Sequence, residues 1–405
     1  MSISLFPDLN NRVRSVRQLK ALALAVMIAM TGAATAKDAL DELIEQSVQS
    51  YPSVKSKEMA RKSAKSDVTT AKLSFLPNAS VAFEPRRKVY GGSGSNTDRG
   101  DPYTVITLTQ PLLGGGLVAG YRQSQANLNV SDWAVREEAE ALAVRVINAY
   151  GTWLSANKKV QAAEESVKEH ERLVGLITRR AEAGASPTTD QNLGVSRLLL
   201  ARSELSSFKS AEATALTTLN QLVGGRLTRE QLLSQKLETE SFELPTDVMV
   251  RSLEINPTLK RLEFTAESVR QASKVVRSQA LPQVSLQAKR TIGDPTVQNV
   301  SPSNTVGLVV SYTSGAGLSS ISKASAANSR YRAALLDIDS AKRDLVVRVN
   351  QDVSDYGFAK SRAQALLRNV GLTKTVSESY DRLFLVGKKS WLDLMNAVRE
   401  RKDTQ

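Results

Sequence analysis

Apolar positions along this chain change their period partway through, and then repeat the same change further on. Between residues 38 and 75 they recur at helical spacing, as Leu40, Leu43, Ile44, Val48, Met59, Val68 and Leu73. The run is interrupted at Tyr51-Pro52, because proline disfavours the αR region in the residue before it, and it ends at Leu76-Pro77. Over 79–83 the period falls to two. Residues 103–110 (YTVITLTQ) are rich in β-branched and aromatic side chains, so both stretches read as strands, a hairpin over 79–110. The intervening 91–101 (GGSGSNTDRGD) is an exposed loop by composition. Pro111 and the glycines at 114–116 are expected to stop the second strand.

A very long helix is expected next, from about 117 to 180. Its apolar seam alternates steps of three and four: Ala139, Leu142, Val146, Ala149, Trp153, Ala156, Val160, Ala163, Val167, His170, Val174, Ile177. Such a helix is about 90–100 Å long, and the alanines let neighbouring backbones approach closely. Residues 184–189 (GASPTT) turn, and 190–222 form a return helix. The second half follows the same plan. Helix 246–279 contains Asn256-Pro257. A strand then sets Val284, Leu286 and Ala288 on one face and Gln283, Ser285, Gln287 and Lys289 on the other. After a loop at 291–303, a second strand alternates Val306, Leu308, Val310 and Tyr312 against Thr305, Gly307, Val309 and Ser311, for a hairpin over 283–313. A long helix to 386, a turn at 387–390 and a return helix from 391 complete it.

The two halves are in register. Pro52 and Pro257, like Pro77 and Pro282, stand 205 positions apart; Gly184 and Gly387, like Asp190 and Asp393, stand 203 apart. One unit has been duplicated, giving repeats at 37–222 and 246–405 joined by a polar connecting segment at 223–245. By internal symmetry the second return helix is expected to fall short of the first by roughly 15–20 residues, through truncation or as a naturally short chain, and one outer helix would then be incomplete.

Composition narrows the class. Apolar residues make up 41% and charged residues 23%, too polar for a bundle of membrane helices. The only near-continuous apolar run, 21–30, is too short to span a bilayer. It follows Arg12, Arg14, Arg17 and Lys20 and precedes Ala34-Thr35-Ala36, the layout of a secretory signal over 1–36. There is no cysteine, hence neither a disulfide nor an acyl-anchor site. The net charge of +13 is spread over the whole chain, and export removes access to nucleic acid, so no nucleic-acid partner is expected.

A strand of about ten residues suits a tilted transmembrane β-strand, and alternation suits a wall between lipid and water. Four strands cannot close a barrel, which needs at least about eight, and open edges do not survive in hydrocarbon. Several chains would have to pool their strands. A pair of soluble hairpins capping a helical rod stays open on pattern alone.

The mature chain resembles the TolC-like family of outer-membrane export channels. The resemblance is carried by the proline-marked breaks at Pro52 and Pro257, by Leu76-Pro77 and Leu281-Pro282 before strands, by 109–116 (TQPLLGGG) at a strand-to-helix junction, and most specifically by 384–397 (FLVGKKSWLDLMNA). The last is similar to members paired with type I secretion systems that export large adhesins. The resemblance implies an α+β membrane protein working as a homotrimer. Four strands per chain would pool into one transmembrane β-barrel in outer-membrane lipid, continued by long antiparallel coiled-coil helices as a periplasmic α-barrel. It further implies a passive conduit docked by a periplasmic adaptor and an inner-membrane ABC transporter, passing an exported protein. A drug or metal efflux duct is the alternative within the family; a periplasmic coiled-coil adaptor is a more distant one.

Candidate chemistry is sparse. With one histidine and no cysteine, His/Cys metal sites and thiol nucleophiles are excluded, and no cofactor or enzyme activity is expected. His170 occupies a seam position matched by Thr373 and reads as a packing residue. The glycine runs lack phosphate-loop spacing. Asp190 and Asp393 each follow a tip glycine, Gly184 and Gly387, by six residues and suit the first turn of a helix. By resemblance, Asp393 lines the channel constriction with Asn396, which stands where the family often has a second acid. Lys389 matches a basic residue that bridges to the neighbouring acid, here Asp190, in a gate latch. Phe384 replaces a tyrosine of that latch.

Overall fold

The computed structural model describes residues 39–84, 103–234, 245–293, 302–312 and 319–404. The signal segment and the loop at 91–101 lie outside the described residues. Nine helices and four strands are found among those described. The order is α1 (Ala39–Ser50), α2 (Pro52–Leu73), β1 (Asn78–Glu84), β2 (Tyr103–Leu113), α3 (Leu117–Glu182) and α4 (Thr188–Val223). It continues through α5 (Arg229–Ser234), α6 (Val248–Ile255), α7 (Pro257–Gln279), β3 (Gln283–Ile292), β4 (Ser303–Ser311), α8 (Ser319–Leu385) and α9 (Trp391–Thr404).

Both proline breaks act as expected. Pro52 opens α2 after an extended Tyr51, and Pro257 opens α7 after Asn256, whose side chain accepts from the Leu259 N–H at 3.0 Å. At 66 and 67 residues, α3 and α8 are each about 100 Å long. None of the helices described is long and apolar enough to cross a membrane.

The strands form one antiparallel sheet in the order β1-β2-β3-β4, so the two halves of the chain join at β2-β3. The register gathers most of the apolar side chains on one face, which also carries Arg290 opposite Ile106. Val81 pairs with Ile106, Leu108 with Ala288, Leu286 with Leu308 and Ala288 with Val306, all on one apolar face. Ser80, Thr107, Lys289 and Thr305 form a row across the opposite, polar face. Val306, Leu308 and Val310 are 74%, 66% and 66% exposed, so nothing among the described residues covers these positions of the apolar face. The outer edges of β1 and β4 pair with no strand among the described residues.

Strand β2 does not stop at Pro111 but runs to Leu113. Pairing with β1 ends at Asn78 opposite Thr109, so Pro111 lies beyond that ladder, and the register slips between Pro111 and Leu113 against β3. A bulge is where a strand tolerates proline. The chain then passes through three glycines at positive φ (90°, 64° and 74°) into α3. A Cβ on Gly114 would stand 2.9 Å from the Gln283 Cα and the Pro282 carbonyl, so this junction admits only glycine there.

Helix α3 is the spine. Leu142, Val146, Trp153, Val160, Val167, His170 and Ile177 of its expected seam are buried, but so are Tyr150, Asn157, Ser166 and Leu173. The second stripe serves other contacts: Asn157 donates to Glu212 of α4, Tyr150 joins a core that includes Leu43 of α1, and Leu173 lies in a cluster with Phe384 of α8 and Trp391 of α9. The largest core gathers Leu142, Val146, Tyr150 and Trp153 with Leu43, Val54, Leu219 and Val223. Leu232 of the short α5 plugs into it, so the connecting segment is partly docked. Next to it, Glu212 accepts from the buried Asn157 amide at 2.6 Å and lies 3.3 Å from Arg229, tying α5 to the coiled coil.

Candidate functional site

The expected site residues gather where α3 turns into α4 and α8 turns into α9. Both turns use the same closure. Gly184 (φ 71°) donates to Ala181 and Ala185 to Arg180; Gly387 (φ 77°) donates to Phe384 and Lys388 to Leu383. This is the Schellman arrangement, which needs a left-handed residue and hence glycine at the turn.

The two acids occupy equivalent backbone positions and differ in chemistry. Asp393 accepts from the Ser390 backbone N–H at 3.3 Å, while its own N–H donates to the Ser390 hydroxyl at 3.1 Å. That is a reciprocal cap on α9. The Ser390 hydrogen bonds, with a contribution from the Lys389 charge, hold the Asp393 carboxyl below its ordinary value. Asp190 instead follows Pro187, which has no side chain able to cap; its N–H donates to the Pro187 carbonyl at 3.1 Å, and its carboxylate has no counterpart of the Ser390 bonds among the described residues.

The proposed latch partners are not joined within the chain. Lys389 sits over the Tyr380 ring, 4.6 Å from its centroid, and among the described residues it makes no ion pair with Asp190. Phe384 is a core residue rather than a surface one. It is 5% exposed, lies 5.4 Å from the Trp391 ring and is stacked by the Arg180 guanidinium at 4.9 Å. Asn396 is exposed on α9, on the side away from the core.

What does tie the two tips together was not apparent from motif reading. Leu173 and Ile177 of α3, Phe384 of α8, and Trp391, Leu394, Met395 and Val398 of α9 form one buried cluster. Above it, Arg172 of α3 bridges Glu169 at 2.7 Å and Asp381 of α8 at 3.0 Å. The Arg172 hydrogen bond holds the Glu169 carboxyl below its usual value, and the two acids hold the guanidinium more firmly protonated. Lys402 of α9 reaches Glu204 of α4 at 2.7 Å. The sequence signal for these contacts was a glycine inside a helix, Gly194, and a tryptophan opening one, Trp391. Among the described residues no cluster of acids and histidine is placed to hold a metal ion.

Comparison with known proteins agrees with this architecture. The family model described as outer membrane efflux protein matches residues 43–225 and 248–405. The alkaline protease secretion protein AprF of Pseudomonas aeruginosa is 23% identical over 302 residues, which are 73% of this chain and 63% of that protein. The chain thus spans less than two thirds of that curated relative's length. A crystal structure of CusC superposes with a TM-score of 0.78 at 15% identity, covering 90% of this chain and 86% of the other. The outer membrane protein VceC from Vibrio cholerae gives 0.76 at 15% identity, covering 91% of each. At such identities the likeness is one of fold.

Proposed function

The chain belongs to the outer membrane efflux protein family, channels of the outer membrane that extend into the periplasm, and on that premise we propose that it is the passive outer-membrane duct of a tripartite export system, active as a homotrimer. The observation that carries this reading is the sheet: four strands with one mainly apolar face, one mainly polar face and two edges unpaired among the described residues. In hydrocarbon every backbone group needs a partner, so such a sheet must be closed by copies of itself. Three chains would supply the strands of one barrel, with polar residues such as Lys289 and Gln287 toward a water-filled lumen and Leu308 and Val306 toward lipid. The repeats at 37–222 and 246–405 would then continue the wall as a helical tunnel, with the hairpin tips at its periplasmic mouth. Asp393 and Asn396 would form the constriction there, and Lys389 and Asp190 would meet between neighbouring chains.

Within this class, type I secretion of a protein, a large adhesin by the 384–397 motif, is supported by the likeness to the alkaline protease secretion protein. Its partners would be a periplasmic adaptor and an inner-membrane ABC transporter. The family's description as efflux proteins supports the second reading, a drug or metal efflux duct. Outer-membrane fractions run unheated on a denaturing gel should show a band at three chain masses that collapses on boiling; a monomer band without heating contradicts the assembly. Deleting the gene separates the two readings: loss of a secreted surface protein supports secretion, and gained drug or metal sensitivity supports efflux.

A further inference from the structure

Gly194 lies inside α4, where glycine is among the weakest helix formers, and it is buried. Its lack of a side chain is used by one neighbour. A Cβ built there would come within 3.2 Å of the Trp391 Cζ2, and within 3.5 Å of Ile177 and Val174 methyls. Trp391 is 3% exposed and its ring leans on Phe384. The indole, carried by the second hairpin, is therefore seated on a backbone patch of the first. Its Nε1 finds no hydrogen-bond partner among the described residues, so the ring is held by shape alone. The turn glycines Gly184 and Gly387 have open space around them, so neither offers a close contact of this kind.

We infer that the Trp391 indole on Gly194 is the spacer that sets the separation of the two helical hairpins, and with it the width of the periplasmic mouth. The inference rests on the reading of these tips as a channel entrance. Helix axes separate by 8–10 Å according to the side chains between them, and a glycine at the contact gives the near end of that range. Each chain contributes one such spacing to the ring of hairpins. A wedge at Gly194 therefore pushes α9 from α4 in every copy at once and enlarges the perimeter.

The test is a compensation series: Gly194→Ala, Gly194→Leu, Trp391→Ala and the Gly194→Leu/Trp391→Ala double variant. Each is purified as the unheated assembly, so that a misfolded variant is not scored; Gly194→Ala is the milder wedge if Gly194→Leu fails to assemble. Because the chain has no cysteine, spin labels can be placed uniquely at the exposed Ser196 on α4 and Arg399 on α9. The separation is expected to grow by about 2 Å in Gly194→Leu, less in Gly194→Ala, and to return toward wild type in the double variant. Single-channel conductance in planar bilayers is expected to follow the same order, rising about twofold or more in the wedge variants. A generic loss of packing would make the double variant worse than either single change. An unchanged separation in assembled wedge variants, or a double variant as wide as Gly194→Leu, overturns the inference. A wild-type chain that forms no pore defeats the channel reading instead, and the spin-label distances still decide the spacer.

Discussion

Placing an arginine on either face of the sheet separates a membrane wall from a soluble hairpin by the sign of its effect. Leu308 is central in β4, pairs with Leu286 and is 66% exposed in the single chain. Gln287, beside it on β3, pairs with Thr109 and Gly307 on the other face. If the apolar face meets lipid, Leu308→Arg costs about 2–4 kcal/mol per chain near the bilayer midplane, hence about 6–12 kcal/mol for an assembly of three. Gln287→Arg, facing a water-filled lumen, costs close to nothing. In water the ranking reverses, because Leu308→Arg removes an exposed apolar side chain at no desolvation cost. The assay is urea-dependent unfolding of protein reconstituted in lipid vesicles, with the folded fraction read from unheated electrophoresis. Equal losses for the two variants, or a larger loss for Gln287→Arg, refute the assignment of faces.

Three further outcomes follow from the helical region. Because the Asp393 carboxyl titrates below its unfolded value, its capping contribution is complete above about pH 4 and is lost as pH falls through the lowered value. The difference in thermal midpoint between wild type and Asp393→Asn should accordingly be present at neutral pH and close under acid, and a gap that widens toward low pH would be the wrong sign. Glu212→Ala leaves the buried Asn157 amide without its acceptor and should cost about 1–3 kcal/mol in urea unfolding, whereas Arg229→Ala, more exposed, should cost about 0–1 kcal/mol. Lys389→Asp removes the cation over Tyr380 and adds like charge beside Asp393, so leak conductance in planar bilayers should rise; conductance equal to wild type would count against a latch role for Lys389.

Patterns set by one dominant environment were legible in the residues. The alternation over 283–289 and 304–312 was legible because a strand's period of two is local, and it is broken only by Val309 on the polar side. The proline breaks were legible because their steric cause is local. The α3 seam was legible only in part: one heptad stripe was visible, but Tyr150, Asn157 and Leu173 became buried through contacts with other helices that no local period encodes. Pro111 was misjudged as a terminator, since its tolerance depends on where β1 ends. The expected equivalence of Asp190 and Asp393 holds for the backbone, yet Pro187 and Ser390 give the two acids different partners. Phe384, assigned to a latch by resemblance, lies in the cluster that joins the tips. The Gly194 and Trp391 contact links positions far apart in the chain, and nothing short of the fold brings them together.

The pooled barrel is tested most directly at the two open edges. The chain has no cysteine, so a pair introduced at Ser80 on β1 and at Thr305 or Gly307 on β4, all on the polar face, can form a disulfide only between chains whose edges meet. Oxidation in intact outer membranes should give a ladder of one, two and three chain masses that stops there, because the ring is then closed. Monomer at every oxidant concentration for both pairs, or a ladder that continues past three, would contradict closure by three chains.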